Sequence, residues 1–297
     1  MFSNLLGQQF KRVTYNLDLI IVTKKTITKL NSQIEKFLRE RGAIRVGFAN
    51  LDTLVGGPPS VDLTYVLPEV CSAISFALPF DHDKIRDFLS KKDFINYERH
   101  AVEIDLKSTQ ISEELAEWLE SKGFASQRVL ANNNYRTEIL NWPLRMPPIL
   151  SHRYIAVRSG VGSLGWSGNV GIKNYGCTIY LGTVVTSAEL EPTEPIPPEE
   201  SFCNKCKLCV SVCTAGMFDN EKETTVTMGG ETFSYSARKN NMRCQFVGGG
   251  FTGLNKSGKW STWSPGRFDI PEDEKKLNLL SCLATKIDKK NQDWAYA

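Results

Sequence analysis

Four cysteines fall within one short segment, Cys203-x2-Cys206-x2-Cys209-x3-Cys213. No other feature limits the fold as tightly, because three thiolates at two-residue gaps must wrap a tight loop around a common centre. This is the ferredoxin spacing, in which the centre is a [4Fe–4S] cube and backbone N–H groups point at its sulfurs. Tetrahedral zinc sites use two Cys pairs set about a dozen residues apart, and here the pairs overlap. A radical-SAM site needs a wider first gap. The run therefore predicts one cluster on Cys203, Cys206 and Cys209, with a fourth ligand from elsewhere in the chain.

The other cysteines set how many clusters can form. The chain has eight cysteines, and beyond the run only Cys244 and Cys282 remain. These six thiolates complete one cluster and leave two over, so a second cluster is left open. Cys282, mid-helix beside an apolar face, is the expected remote ligand. Cys213 and Cys244 read as remnants of a second site, as ligands of a cluster completed by another residue type, or as two buried thiols. Thr214 stands where bacterial ferredoxin runs carry proline. Cys71 and Cys177, in strand-like surroundings, read as small core residues.

Compartment and partners follow from composition. The best early apolar run, Leu17 to Val22, contains Asp18 and is followed by Lys24 and Lys25. It is too short for a membrane span or a secretory core, and no twin-arginine pair precedes it. A cytoplasmic location is expected, where thiols bind metal in preference to forming disulfides. The net charge of +3 does not argue for a nucleic-acid groove and leaves tRNA open as a substrate.

Helices alternate with strands up to residue 190, which predicts an α+β domain over 1–190. Ile27, Leu30, Ile34 and Leu38 recur at helical spacing before Gly42, and Ile111, Leu115, Trp118 and Leu119 do so before Gly123. Strand-like runs cover Ile44 to Ala49, Cys71 to Leu78, Arg128 to Ala131 and Thr178 to Thr186. An acidic, proline-rich linker spans 191–200. The segment 201–297 is expected to be a small ferredoxin-like domain, with a hairpin turning at Gly229 and Gly230. A closing helix follows, with Asp269 as N-cap, Pro271 in its first turn, and Leu277, Leu280, Leu283, Ala284 and Ile287 on its apolar face.

Ahead of the linker, a short helical stretch from Ser151 runs into Gly160, Gly162, Gly165 and Gly168. So many glycines imply close approach of another backbone or of a large planar ligand. The pattern Gly160-x-Gly162-x-x-Gly165 fits a dinucleotide loop. That reading wants a strand before the glycines, and the residues there look helical instead.

The order of these segments resembles that of the epoxyqueuosine reductases and reductive dehalogenases. Those families show an Ala-Gly-Leu-Gly-x-Leu/Ile-Gly block, a Tyr-Gly pair, a strand ending in a Leu-Thr-Asp-x-x-Leu-like segment, and then the ferredoxin cysteines. This chain reads Ser159-Gly-Val-Gly-Ser-Leu-Gly165, Tyr175-Gly176, Val184-Val-Thr-Ser-Ala-Glu-Leu190, and then Cys203 onward. Arg45-Val-Gly-Phe-Ala49 is similar to the family's opening strand. The resemblance implies a nitroreductase-like fold holding base-off cobalamin, with the cluster feeding cobalt. It places His152, Gly160, Gly162, Gly165, Trp166, Ser167, Gly168, Tyr175 and Thr186 beside the corrinoid. It also implies an external electron donor such as ferredoxin or flavodoxin.

Several departures accompany the resemblance. The family's acidic proton donor lies in an Asp-x-x-Pro segment, and the nearest match here is Arg145-Met-Pro-Pro148. Trp166 and Ser167 replace a basic residue and an asparagine, and the second Cys-x2-Cys group is absent. Arg145 is then a candidate for binding an anionic substrate, and Tyr154, with Tyr97 and Tyr135, for donating a proton. Trp260 and Trp263 are candidates for covering a ligand or for filling the small domain's core. The expected activity is a cobalamin-dependent iron–sulfur reductase acting on a small molecule. The alternative is an electron-transfer or corrinoid-handling protein without its own substrate.

Overall fold

The computed structural model describes residues 27–130, 135–253, 263–264 and 266–281. Cys282, Trp260, Leu283, Ala284, Ile287 and Ala131 lie outside these residues. In chain order the elements are α1 (27–40), β1 (Arg45–Asn50), α2 (Leu51–Leu54), β2 (Ser72–Pro79), α3 (His82–Leu89) and α4 (Ile95–Glu120). Then come β3 (Ser126–Val129), α5 (Trp142–Arg145), α6 (His152–Arg158), β4 (Ser163–Leu164), β5 (Val170–Gly171) and β6 (Ile179–Thr186). The rest are α7 (Leu208–Val212), β7 (Phe218–Met228), β8 (Glu231–Arg238), α8 (Met242–Gly248) and α9 (274–281).

A four-stranded sheet in the order β1-β2-β6-β3 forms the centre, with every neighbouring pair antiparallel. Alternation along the strands sorts side chains to two faces. Ile74, Phe76 and Val184 point to one face, where they meet Ile34 and Leu38 of α1 and Leu115 and Leu119 of α4. Ala73 and Val185 point to the other, where Ile155 of α6 and Leu150 pack. With both faces covered, β2 is an almost continuous apolar run. Gly42 and Gly123 end α1 and α4 with φ of +96° and +89°, as glycines past a helix end do. Among the described residues, no helix is long and apolar enough to cross a membrane.

The segment beyond 200 does not stand apart from the sheet. The proline-rich stretch is a strap along β1, where the Phe48 N–H donates to Thr193 Oγ1 and the Thr193 N–H donates to the Phe48 carbonyl, both at 2.9 Å. The β7–β8 hairpin continues the same attachment. Met228 is fully buried among Leu54, Val61 and Leu63, and the Gly229 N–H donates to the Val55 carbonyl at 2.9 Å. The expected separate small domain thus gives up its hairpin to the N-terminal core. Apolar Val226, Met228 and Phe233 explain why, because they pack against the N-terminal core. Trp263 likewise packs against Phe88 and Phe94, and its indole N–H donates to the Phe88 carbonyl at 3.0 Å.

The last helix also starts later than expected. Asp273 is its cap, accepting the Lys276 N–H at 2.7 Å, while Asp269 and Pro271 precede it. Leu277 packs on Met242 and Phe246 of α8.

The hairpin turn separates two costs of substitution. Gly229 and Gly230 both have positive φ, at +56° and +84°. A Cβ on Gly230 meets nothing within 4 Å, whereas one on Gly229 would lie 2.5 Å from the Thr53 carbonyl oxygen. Gly230→Ala should cost about 1 kcal/mol of stability. Gly229→Ala should cost about 1–3 kcal/mol more, from the added overlap. Urea unfolding midpoints check this, and equal midpoints would refute it.

Candidate iron–sulfur site

The cysteine run is held in a loop of unusual backbone. Lys205 and Lys207 both sit in the left-handed region, with φ of +57° and +60°. Neither is a glycine, so each position costs of order 1 kcal/mol or more unless the surroundings impose it. Left-handed residues between right-handed ones turn successive N–H groups toward a common concavity, the arrangement that cradles anionic clusters. Asn204 Oδ1 accepts the Cys206 N–H at 3.1 Å, and Ser201 Oγ accepts that of Cys203 at 3.3 Å. Cys206 is exposed, while Cys203, Cys209 and Cys213 are half-buried.

Trp166 ties this loop to the rest of the site. Its backbone N–H donates to Cys203 Sγ at 3.3 Å, and its carbonyl accepts the Ser236 N–H at 2.8 Å. Its indole N–H donates to the Asp219 carbonyl at 3.0 Å, and the Lys207 ammonium lies 4.7 Å from the ring centre. The residue expected beside a corrinoid instead joins the glycine block, the cluster loop and the hairpin.

The glycines themselves are packed against the chain's own atoms. A Cβ on Gly160 would lie 2.1 Å from the Glu194 carbonyl oxygen of the strap. On Gly162 it would lie 2.7 Å from the Gly171 carbonyl oxygen, on Gly165 2.7 Å from the Phe202 ring, and on Gly168 2.7 Å from the Tyr235 ring. Close approach was the correct reading of the four glycines, and the approaching groups are backbone and aromatic rings of this chain. The faces where these glycines lack a Cβ are therefore filled by the chain itself. Two clefts lie away from the block: one of about 470 Å³ is lined by His82, Ile85, Arg86, Leu89, Ser90 and Thr178. Another, of about 350 Å³, lies between Asn50 and Cys71.

The other expected corrinoid contacts are engaged in the same way. The His152 ring meets Thr183 Oγ1 at 2.8 Å through Nδ1 and the Leu130 carbonyl at 3.3 Å through Nε2. A carbonyl only accepts, so the neutral Nε2–H tautomer satisfies both contacts and leaves no nitrogen for a metal. Thr186 is fully buried, bonded to Ser126 Oγ at 2.8 Å and accepting the Ala188 N–H at 3.1 Å. The Ser167 carbonyl accepts from Arg238 at 2.6 Å. Tyr175 is exposed in the turn before β6, edge-on to His82.

Of the two catalytic candidates, Tyr154 is half-buried with its hydroxyl 2.8 Å from that of Tyr235. Burial and the neighbouring Tyr235 push its pKa up to about 12, against the pull of Arg153 and Arg238. Arg153 donates to the Gly168 carbonyl at 2.7 Å, which completes a ring of tyrosine and arginine under the block. Arg145 is exposed at the end of α5, and its carbonyl accepts from Asn241 at 3.5 Å. Tyr235 and Arg238, which complete the ring, carry no signal in the sequence and lie beyond the expected hairpin.

The cysteines outside the loop divide into two groups. Burial and the charge of Cys213 both push the Cys244 thiol up, so these two form one group. Cys177 belongs with the run. It lies at the surface in the turn before β6 and is no core residue, yet its sulfur is partly covered, and this burial together with neighbouring Cys203 and Cys209 pushes its pKa up to about 11. Among the described residues, no three His, Cys, Asp or Glu side chains converge tightly enough to hold a single metal ion. A four-iron cube spreads its ligands wider than one ion does, and the donor set here is all thiol, so the loop fits the cluster.

His152 gives the site a pH signature. Burial holds its pKa below the usual 6.5, so the folded protein keeps it neutral. As pH falls below 6.5, the unfolded chain takes up a proton that the folded one refuses, and stability drops toward the lower, folded value. His152→Gln, with an amide that can replace both bonds, should flatten this loss, by about 1.4 kcal/mol for each unit of pKa separation. Unfolding midpoints at about pH 7 and about pH 5.5 test this. An unchanged difference between them would count against a titrating His152.

No family model matches the chain. The epoxyqueuosine reductase of Atelocyanobacterium thalassa (isolate ALOHA) is 24% identical over 180 residues, covering 58% of this chain and 51% of the relative. That of Bacillus subtilis (strain 168) is 32% identical over 71 residues, covering 24% of this chain and 18% of the relative. A solved reductive dehalogenase, described as suggesting a mechanism for B12-dependent dehalogenation, superposes with a TM-score of 0.50 at 14% identity. It covers 84% of this chain and 32% of its own, and shows a shared fold. The chain spans about half the length of the A. thalassa enzyme and a smaller part of the other two. The chain is similar in sequence to the epoxyqueuosine reductases and shares its fold with a reductive dehalogenase.

Proposed function

We propose that the chain is an iron–sulfur oxidoreductase of the corrinoid-dependent reductase kind, with a [4Fe–4S] cluster on Cys203, Cys206 and Cys209. The observation that carries this reading is the loop itself: two left-handed lysines between the cysteines, and the Trp166 N–H aimed at Cys203 Sγ. When bound, the cluster supplies electrons one at a time. Backbone N–H groups of the loop lower the cost of its added negative charge. Exposed Cys206, flanked by Lys205 and Lys207, leaves the cluster's edge open to an acidic donor protein of the ferredoxin or flavodoxin type.

Kinship supports cobalamin as the second cofactor, and the packed glycine faces speak against the block as its cradle. That packing favours a second reading, an electron-transfer protein without its own substrate. The relatives' name makes epoxyqueuosine, carried on tRNA or free, the first substrate to assay. Arg145 stands in the segment where those families place an acid, which argues for a different proton donor and a different substrate.

Anaerobically purified protein should be brown, with about four irons per chain and a visible band that bleaches on reduction. Cys206→Ser should deplete that iron, and stoichiometric zinc with no iron would overturn the cluster. Titration with hydroxocobalamin, with equilibrium dialysis as the control, decides between the two readings. Corrinoid retained by cluster-loaded protein supports the reductase. None retained at concentrations well above that of the protein leaves the electron-transfer reading.

A further inference from the structure

Cys203, Cys206 and Cys209 leave one corner of a cube without a protein ligand, and the fold offers a thiol for it. Gly171 of β5 is the pivot. A Cβ there would lie 2.7 Å from the Gly176 carbonyl oxygen and 2.7 Å from the Phe202 ring. The Gly176 carbonyl and the Phe202 ring therefore converge on one point beside Gly171, and the next residue along each segment is a cysteine: Cys177 after Gly176, and Cys203 after Phe202. Cys203 Sγ is further fixed by the Trp166 N–H at 3.3 Å, and Trp166 follows Gly165, which rests on the same Phe202 ring. Cys177 stands within electrostatic reach of both Cys203 and Cys209.

The other described thiols lie elsewhere. Cys71 donates its N–H to the Thr186 carbonyl, at the far end of β6 from Cys177. A strand of that length puts them roughly 25–30 Å apart. Cys213 lies four residues beyond Cys209, where its Sγ accepts the Met217 N–H at 3.5 Å.

We infer that Cys177 is the fourth ligand of the cluster on Cys203, Cys206 and Cys209, in place of the remote Cys282; this rests on the cluster reading above. Ligation exchanges the Cys177 S–H bond for an S–Fe bond and releases the proton to solvent, with no change in the iron oxidation states. Because Cys177 sits in the turn that starts β6, the central sheet itself would then be bonded to the cluster.

The test uses the full chain, purified and reconstituted anaerobically, with iron and sulfide counts and electron paramagnetic resonance as readouts. Wild-type protein should hold about four irons, silent when oxidised and giving a spin-half signal on reduction. Cys177→Ala should lose about a quarter of its iron and show the near-isotropic signal of an oxidised three-iron cluster. Cys177→Ser, whose oxygen can still ligate, should keep four irons with an altered reduced signal. It also reports whether the turn tolerates substitution, with circular dichroism checking the fold of both variants. Cys282→Ala and Cys71→Ala should match wild type. A wild-type spectrum from Cys177→Ala, or the three-iron signal from Cys282→Ala instead, overturns the assignment while leaving the cluster intact. Wild-type protein without iron would overturn the cluster reading as well.

Discussion

The peptide and ring of Trp166 form the joint on which the site depends. One residue donates to a cluster-loop sulfur, accepts from the hairpin at Ser236, and donates again to the Asp219 carbonyl at the hairpin's base. The bonds fix two segments, the cluster loop and both strands of the hairpin, and neither is adjacent to Trp166 in sequence. Two of the three bonds use the backbone of Trp166 itself, so side-chain identity enters mainly through the indole. A buried indole N–H without a partner is costly, and this one is placed where only the hairpin can satisfy it. Geometry at the sulfur is thus coupled to the position of a hairpin on the opposite side of the ring.

The hairpin in turn brings charge into a place where charge is expensive. Arg238 and Arg153 both reach carbonyls of the Ser167–Gly168 turn, and Tyr154 and Tyr235 share a hydrogen bond beside them. Two like charges are held close together, and burial together with Arg153 pulls the Arg238 pKa down. What offsets this is the concentration of carbonyl dipoles at the turn, which accept where a larger side chain at position 168 would block the approach. The glycine at 168 is therefore needed twice, for its left-handed backbone and for the Tyr235 ring lying against it.

Much of this fold was legible in the sequence because its elements are amphipathic and sharply ended. Ile34 and Leu38, or Ile111, Leu115 and Leu119, mark their faces by spacing alone, and Gly42 and Gly123 end them with left-handed backbone. The cysteine run was legible for a similar reason, since its chemistry is local. What could not be read was anything decided by segments far apart. Thr186 and His152 have residue types that suit a ligand site, yet their polar atoms are taken up by Ser126, Thr183 and Leu130. Cys177 misleads in the opposite direction: apolar neighbours suggest a core strand, and only the turn formed by Ile172 to Gly176 carries it out to the cluster loop. Its place directly after Tyr175-Gly176 was the available clue.

The burial of Met228 beneath α2 has a consequence for how the chain is made. Leu54, Val61 and Leu63 emerge early in synthesis, but the residues that cover them emerge only after the whole sheet and the cysteine run have left the ribosome. Until then the first half of the molecule carries an open apolar surface, the kind that aggregates or attracts chaperones. The contact is among the most sequence-distant in the fold, and such contacts slow folding because a long loop must close before they form. A nascent chain stalled ahead of residue 226 would hold a formed sheet and an exposed hydrophobic floor, with the metal-binding loop present but its hairpin brace missing.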